Sequence, residues 1–132
     1  MIKYFLFQSL LTLVLYVVFL TNSGIPGGVA GMTPFLVAIL VLIQFVSGTV
    51  LFLIFKKYLI SYRNKLLSVC FYTLLYEICA FIFYGEIIIS KIFEPNYEGQ
   101  LNRYYSFSSI LSGIIIFIIV LSLEKINIKN EN

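Results

Sequence analysis

The chain has 132 residues, of which 61% are hydrophobic and 11% are charged, with nine Lys and Arg, six Asp and Glu, and no His. A soluble domain carries about 25% charged residues, so this composition excludes an ordinary globular protein in water. The absence of histidine also removes the side chain that most often moves protons near neutral pH. We therefore expect an integral membrane protein that contacts a lipid bilayer, and no nucleic acid partner.

Long apolar runs, at about residues 2–20, 34–55, 66–89 and 107–123, fill most of the chain. A helix needs roughly 20 residues to cross the hydrocarbon core. The second and third runs reach that length, and tilt or local thinning accommodates the other two. Their apolar residues are consecutive, whereas the strands of membrane barrels alternate apolar and polar residues. The sequence predicts an all-α membrane protein, in which residues 1–132 form a single four-helix transmembrane bundle.

The first run resembles a signal peptide in part, because Lys3 precedes an apolar stretch and small residues follow at 28–30. The apolar stretch is longer than the core of a typical signal peptide. Gln8 and Thr12 also give it a polar stripe. We interpret it as a retained helix, with cleavage after Ala30 as the alternative. The connection that follows, residues 21–33, has four glycines and no charge, which predicts a flexible turn.

The basic residues are distributed unevenly between the two sides of the predicted bundle. If Met1 lies in the cytoplasm, that side receives Lys3, Lys56, Lys57, Arg63, Lys65, Lys125 and Lys129, and the other side receives Lys91 and Arg103. Cytoplasmic loops are enriched in Lys and Arg. The pattern predicts a multi-pass protein of the cytoplasmic (inner) cell membrane with both termini in the cytoplasm. The loop with Lys56, Lys57, Arg63 and Lys65 could also attract anionic lipid headgroups, at ~1 kcal/mol per cation.

An acidic residue, Glu77, lies eleven residues into the third run, which corresponds to roughly the middle of the bilayer. Acids within membrane helices usually face the bundle interior. Polar residues of the other runs fall at similar depth, which predicts an intramembrane polar site of Glu77, Gln44, Thr73, Thr12 and Ser112. Two interpretations remain open. Glu77 is a neutral packing contact that donates to Gln44, or it binds and releases a proton or cation.

Two family resemblances are limited in extent. A bundle of short helices with one embedded glutamate resembles the small multidrug resistance transporters in architecture. In that family the glutamate lies in the first helix and works beside tryptophan, whereas here the first run has no acid and the chain has no Trp. Residues 24–31, GIPGGVAG, are similar to the corresponding turn of the holin-like murein hydrolase regulators. Neither resemblance transfers the role of any residue, and no family is assigned.

Enzymatic function is not expected, because no candidate nucleophile has a general base spaced near it. Cys70 and Cys79 lie nine residues apart on one predicted helix, about 13 Å along its axis, so we expect neither a disulfide nor a metal or cofactor site. Two hypotheses remain. The protein is an accessory, assembly or immunity-type protein that contacts another membrane protein or itself through its helices. Alternatively, it is a small proton- or cation-coupled transporter, or a holin-like pore, that uses Glu77 in an oligomer.

Overall fold

The structure, a computed structural model, describes residues 1–25, 27, 31–58, 62–85 and 87–130, and among these it omits the side chains of residues 62, 63, 84 and 124–130. The described part is all-helical. Its long helices are α1 (Ile2–Thr21), α2 (Thr33–Phe55), α3 (Tyr62–Tyr84) and α4 (Tyr97–Asn130), and short 3-10 helices cover Lys56–Tyr58 and Ile88–Lys91. Each long helix contains a segment that is long and apolar enough to cross a membrane. The predicted all-helical architecture, with four helices long and apolar enough to span a membrane, is confirmed for this part of the chain.

The helices bury several small polar residues together with apolar ones, and they expose many large apolar side chains, which a soluble bundle would bury. Along α1, the buried residues follow one another at helical spacing: Phe5, Gln8, Ser9, Thr12, Tyr16 and Leu20. Large apolar side chains such as Phe7, Leu42 and Ile114 are exposed on the outer faces of α1, α2 and α4. Lipid accommodates such a surface, and the backbone polar groups are satisfied within the helices.

Successive helices run in opposite directions around the bundle. α1 packs mainly against α4 and α2, and α3 packs mainly against the same two helices. At one end, Phe5 of α1 stacks on Tyr72 of α3 and contacts the ring of Phe52 of α2. At the other end, the rings of Phe19 of α1 and Tyr104 of α4 stack. We call the end that holds Met1 the terminal end, and the other, with the described residues 21–25, 27, 31–33, 85 and 87–96, the connector end.

The ends of α3 and α4 differ from those that the apolar runs suggest. α3 ends at Tyr84 rather than at residue 89, because Gly85 adopts a φ of 70° while its N–H bonds to the carbonyl of Phe81 at 2.9 Å. A left-handed glycine at this position is a common way to end a helix. α4 begins at Tyr97 rather than at residue 107, since Asn96 accepts the N–H of Gly99 at 2.7 Å as an N-cap. It continues to Asn130, beyond residue 123.

α3 also begins earlier than the apolar run, at Tyr62 rather than at residue 66. The predicted basic loop is therefore shared between two helices: Lys56 and Lys57 lie exposed in the first 3-10 helix, and Lys65 lies half-buried on α3. The side chain of Arg63 lies outside the described residues. So does the alternative cleavage point after Ala30.

Candidate functional site

Hydrogen bonds from polar side chains to neighbouring helices form a central polar layer in the bundle. It consists of Gln8, Ser9 and Thr12 of α1, Gln44 of α2, Tyr72 and Thr73 of α3, and Ser112 of α4. Thr12 and Ser112 lie 2.6 Å apart, with either hydroxyl as donor, and join α1 to α4. Ser9 and the Tyr72 hydroxyl, 2.5 Å apart, join α1 to α3. Such bonds hold membrane helices together, at about 0.6–2 kcal/mol each.

Gln8, Thr73 and Gly113 meet where α1, α3 and α4 approach most closely. The Gln8 amide donates to the Thr73 hydroxyl at 2.8 Å, and that hydroxyl donates to the carbonyl of Val69 at 3.0 Å. A Cβ atom added to Gly113 would overlap the Thr73 side chain and lie 3.3 Å from the Gln8 amide nitrogen. A glycine is therefore required for this approach, as in other close contacts between membrane helices.

Gln44 connects α2 to the same layer. Its amide donates to the backbone carbonyl of Tyr72 at 2.9 Å. One turn further along α2, a Cβ atom on Gly48 would lie 2.5 Å from the Tyr72 ring. Tyr72 thus contacts α2 through its backbone and ring and α1 through its hydroxyl and ring, which makes it the centre of the layer.

Glu77 lies apart from the central polar layer, although the sequence placed it in one site with Gln44, Thr73, Thr12 and Ser112. Its two carboxylate oxygens accept the backbone N–H groups of Ile88 and Ile89, each at 3.0 Å. Gln44 donates to Tyr72 instead. The structure therefore brings Thr12 to Ser112 and Gln44 to the turn that carries Thr73, and it gives Glu77 partners in the connector.

The position of Glu77 explains this choice of partners. Since α3 spans Tyr62–Tyr84, Glu77 lies four residues past the middle of the helix, toward the connector end. After Gly85 the chain turns back, and the 3-10 helix Ile88–Lys91 begins beside Glu77. The first N–H groups of a helix have no partner within it, and a carboxylate is favoured at that end. Glu77 therefore satisfies backbone donors that would otherwise be unpaired inside an apolar environment.

Helical spacing predicts one shared face of the third helix that carries Cys70, Thr73, Glu77, Ala80 and Tyr84. The buried face of α3 differs in part from this stripe of small and polar residues. Cys70 is exposed, and Thr73 and Glu77 are only half-buried. The fully buried positions are Val69, Tyr72, Tyr76 and Ala80. The face that packs inward is thus centred about one residue earlier along the helix, and large tyrosines rather than small residues fill the centre of the bundle.

Basic groups gather at the terminal end of the bundle. Burial, and then the nearby charges of Lys65 and Lys3, hold the pKa of the Met1 amino group below its usual value. Exposed Lys56 and Lys57 follow the last turn of α2 at this same end. The start of α1, the first 3-10 helix and the start of α3 therefore all carry positive charge at the terminal end. Clusters of basic residues at a membrane surface attract anionic headgroups.

A cavity of about 380 Å³ at the connector end was not anticipated from the sequence. We call it the connector-end cavity. Its lining comes from α1, α2, the 3-10 helix Ile88–Lys91 and α4: Tyr16, Thr33, Leu36, Val37, Leu40, Ile88, Lys91, Glu98, Leu101, Asn102 and Tyr105. The polar segment after residue 90 could have indicated this cavity. If α4 had been predicted to begin at residue 97, the polar residues of that segment would have been placed on a helix of the bundle.

A second concavity, of about 410 Å³, lies along α3 and α4 and is almost entirely apolar. We call it the α3–α4 groove, and it is lined by Val69, Cys70, Thr73, Leu74, Ile110, Gly113, Ile114 and Phe117. Cys70 and Gly113 are the small residues of this lining. At these small residues, the surface of the groove lies close to the backbones of both helices.

No group of three or more Cys, Asp or Glu side chains that could share a metal ion occurs within the described residues. The arrangement is one of hydrogen-bonded packing contacts, a connector held by Glu77, a mixed polar cavity and an apolar groove. Comparison of the chain with protein-family models, with curated proteins and with solved structures finds no match.

Proposed function

We propose that this is a non-enzymatic accessory, assembly or immunity-type membrane protein that acts by contact with another membrane protein. The observation that carries the proposal is that the polar side chains of the predicted intramembrane site hydrogen-bond to other groups of the same chain. Thr12 bonds to Ser112, Gln44 bonds to the Tyr72 backbone, and both oxygens of Glu77 accept backbone N–H groups. An acid that must carry protons or ions across the membrane needs access to both sides, and these contacts favour a structural role for Glu77.

The α3–α4 groove is the surface best suited to a partner helix. Gly48 and Ser112 contact residues of the same chain, so they contribute to folding rather than to association. Gly113 also packs against Thr73 of the same chain, whereas Cys70 is exposed in the groove. Small residues let the backbones of two membrane helices approach closely. We therefore assign the groove to one transmembrane helix of a different membrane protein.

The orientation in the membrane follows from charge. Lys65 lies near Met1, Lys56 and Lys57 follow α2 at the same terminal end, and Lys91 lies at the connector end. The positive-inside rule then favours the cytoplasmic membrane with the terminal end in the cytoplasm. In this orientation the basic cluster faces the anionic cytoplasmic leaflet, and the connector-end cavity faces the opposite side.

A photo-crosslinking amino acid tests the groove in intact cells. It is introduced at Cys70, and in a matched control at Leu42, an exposed position of α2. α2 packs against α1 and α3, so Leu42 samples a different face of the bundle. We expect a discrete adduct with another membrane protein from position 70 and none from position 42. Adducts with a second copy of the chain, equal adducts from both positions, or no adduct would contradict the assignment.

The transporter alternative is tested separately in proteoliposomes that contain the purified protein and an imposed pH gradient. We expect the gradient to decay as in protein-free vesicles, for the wild type and for Glu77→Gln. A decay that requires the wild-type protein and is lost in Glu77→Gln would overturn the accessory role in favour of proton transport.

A further inference from the structure

The connector-end cavity combines an apolar wall with one positive and one negative side chain. Leu36, Val37 and Leu40 of α2 form much of the wall, and Lys91 and Glu98 supply the charges. Its volume of about 380 Å³ lies within the range of small-molecule sites, roughly 300–1,000 Å³. The formal charges of Lys91 and Glu98 cancel, so the lining favours a ligand without net charge.

The charged pair occupies the side of the cavity formed by the connector. The Lys91 amine and the Glu98 carboxylate are 3.7 Å apart, which is longer than the roughly 2.7–2.9 Å of a tight charge-assisted hydrogen bond. The Lys91 side chain is 24% exposed and that of Glu98 is 64% exposed. The positive charge therefore lies deeper in the cavity, and the negative charge lies closer to its mouth.

Neutral polar groups accompany the positive charge. Thr33 and Asn102 contribute a hydroxyl and an amide to the same lining. On the α1 side, the rings of Tyr16 and Tyr105 meet edge to face with centroids 6.3 Å apart, and both residues are buried. One space is thus surrounded by hydrogen-bond donors, a cation, a carboxylate and rigid rings. Sites that fix the orientation of a bound ligand have polar groups placed in this way.

We propose that the connector-end cavity binds a small zwitterion, one that joins a primary ammonium to an anionic oxygen group. The anionic oxygens lie against Lys91 and Asn102, and the ammonium lies against Glu98 near the mouth. The headgroup of an ethanolamine phospholipid and the free solute glycerophosphoethanolamine share this chemistry, because each joins one ammonium to one singly charged phosphodiester. A lipid would also place the start of its acyl chains against Leu36 and Leu40.

Glu77 is a positioning residue for this cavity. It accepts the N–H of Ile88, and Ile88 is part of the cavity lining. Lys91 closes the same 3-10 helix three residues later. The acid inside α3 thereby fixes the segment that carries both a wall residue and the cation of the site, although it lines no part of the cavity itself.

Native mass spectrometry of the full chain in detergent micelles tests the proposal. The probes are dihexanoyl phosphatidylethanolamine, the anionic dihexanoyl phosphatidylglycerol, and free glycerophosphoethanolamine as a competitor. We expect one ethanolamine lipid to bind per chain, more tightly than the glycerol lipid. Lys91→Met and Glu98→Gln should each weaken it by about 10-fold, the expected size of one lost charged contact. Glu94→Gln, which keeps an acceptor for its neighbour Asn96, should bind like the wild type.

The remaining variants separate positioning from direct contact. Glu77→Gln should weaken both lipids in parallel, because it loosens the wall, whereas Lys91→Met should change the preference between them. Competition by free glycerophosphoethanolamine at equal affinity would identify a free solute as the source, and failure to compete would identify the lipid. Equal or tighter binding of the anionic lipid to the wild type would overturn the proposal. So would unchanged binding of the ethanolamine lipid in Lys91→Met and Glu98→Gln.

Discussion

The Glu77 carboxylate accepts the backbone N–H of Ile88 at 3.0 Å, although the two residues are separated by the end of α3 and a turn at Gly85. The next residue, Ile89, donates to the other carboxylate oxygen at the same distance. An acid within an apolar helix thus satisfies backbone donors that the turn leaves without helical partners. The Glu77 side chain therefore attaches the 3-10 helix Ile88–Lys91 to α3, and it does so through backbone N–H groups rather than through side chains of that segment.

Replacing Glu77 by Gln tests the strength of this attachment. A glutamine keeps one acceptor oxygen but directs an NH₂ group toward the second N–H donor, so one hydrogen bond is lost. We expect a loss of about 1.5–3 kcal/mol in the unfolding free energy. Hydrogen exchange at Ile88 and Ile89 should accelerate, while amides near Tyr72 remain protected. Glu94→Gln is the matched control, and equal exchange in the two variants would contradict the role of Glu77.

The glycines of α2 and α4 should tolerate no added methyl group where they meet α3. Gly48→Ala would place its Cβ 2.5 Å from the Tyr72 ring, and Gly113→Ala would overlap Thr73. Overpacking of this kind costs about 1–3 kcal/mol. We expect both variants to unfold at lower denaturing-detergent fractions, as followed by circular dichroism. Gly27→Ala, with nothing within 4 Å of the added atom, should match the wild type, and a similar shift in all three would refute the packing argument.

The contact between Thr12 and Ser112 should appear as a coupling energy. The variants Thr12→Val, Ser112→Ala and their combination form a double-mutant cycle across the 2.6 Å contact between α1 and α4. We expect a coupling of about 0.6–2 kcal/mol in the unfolding free energy. Thr21→Val provides the control, because Thr21 is exposed and its hydroxyl bonds to its own helix at Val18. In a second cycle, the effects of Thr21→Val and Ser112→Ala on the unfolding free energy should be additive. An equal coupling energy in the two cycles would exclude a specific contact between Thr12 and Ser112.

The apolar runs predicted the number of spans well, but they predicted the ends of α3 and α4 poorly. Residues 87–89 are all isoleucine, so the run continues past Gly85, where the helix stops. Hydropathy carries no information about backbone conformation, whereas a glycine followed by a charged residue was a usable stop signal. In α4, the polar residues Glu98 and Arg103 interrupt the apolar pattern, so almost three helical turns were missed. Asn96 before an acidic first turn was the signal for an N-cap.

The partners of Glu77 could not have been predicted from residue types. Matching depth suggested Gln44, because both side chains are polar and lie in the middle of their runs. The actual partners are backbone N–H groups of isoleucines, and every non-proline residue carries such a donor. The side that α3 turns inward was also mispredicted, because Tyr72 and Tyr76 combine large apolar rings with a hydroxyl and fill the centre instead of the small residues.

The orientation of α3 predicts different reactivities for its two cysteines. Cys70 is exposed in the α3–α4 groove, whereas Cys79 is only 4% exposed in the hydrophobic core. In detergent micelles a small aromatic disulfide reagent should modify Cys70 at least about 100-fold faster than Cys79, because Cys79 must wait for local opening. The single variants Cys70→Ser and Cys79→Ser assign each rate, and denaturation should equalise them. If α3 instead turned the stripe of Cys70, Thr73 and Glu77 inward, as its small and polar residues suggest, Cys70 would be the protected thiol and the order of the rates would reverse.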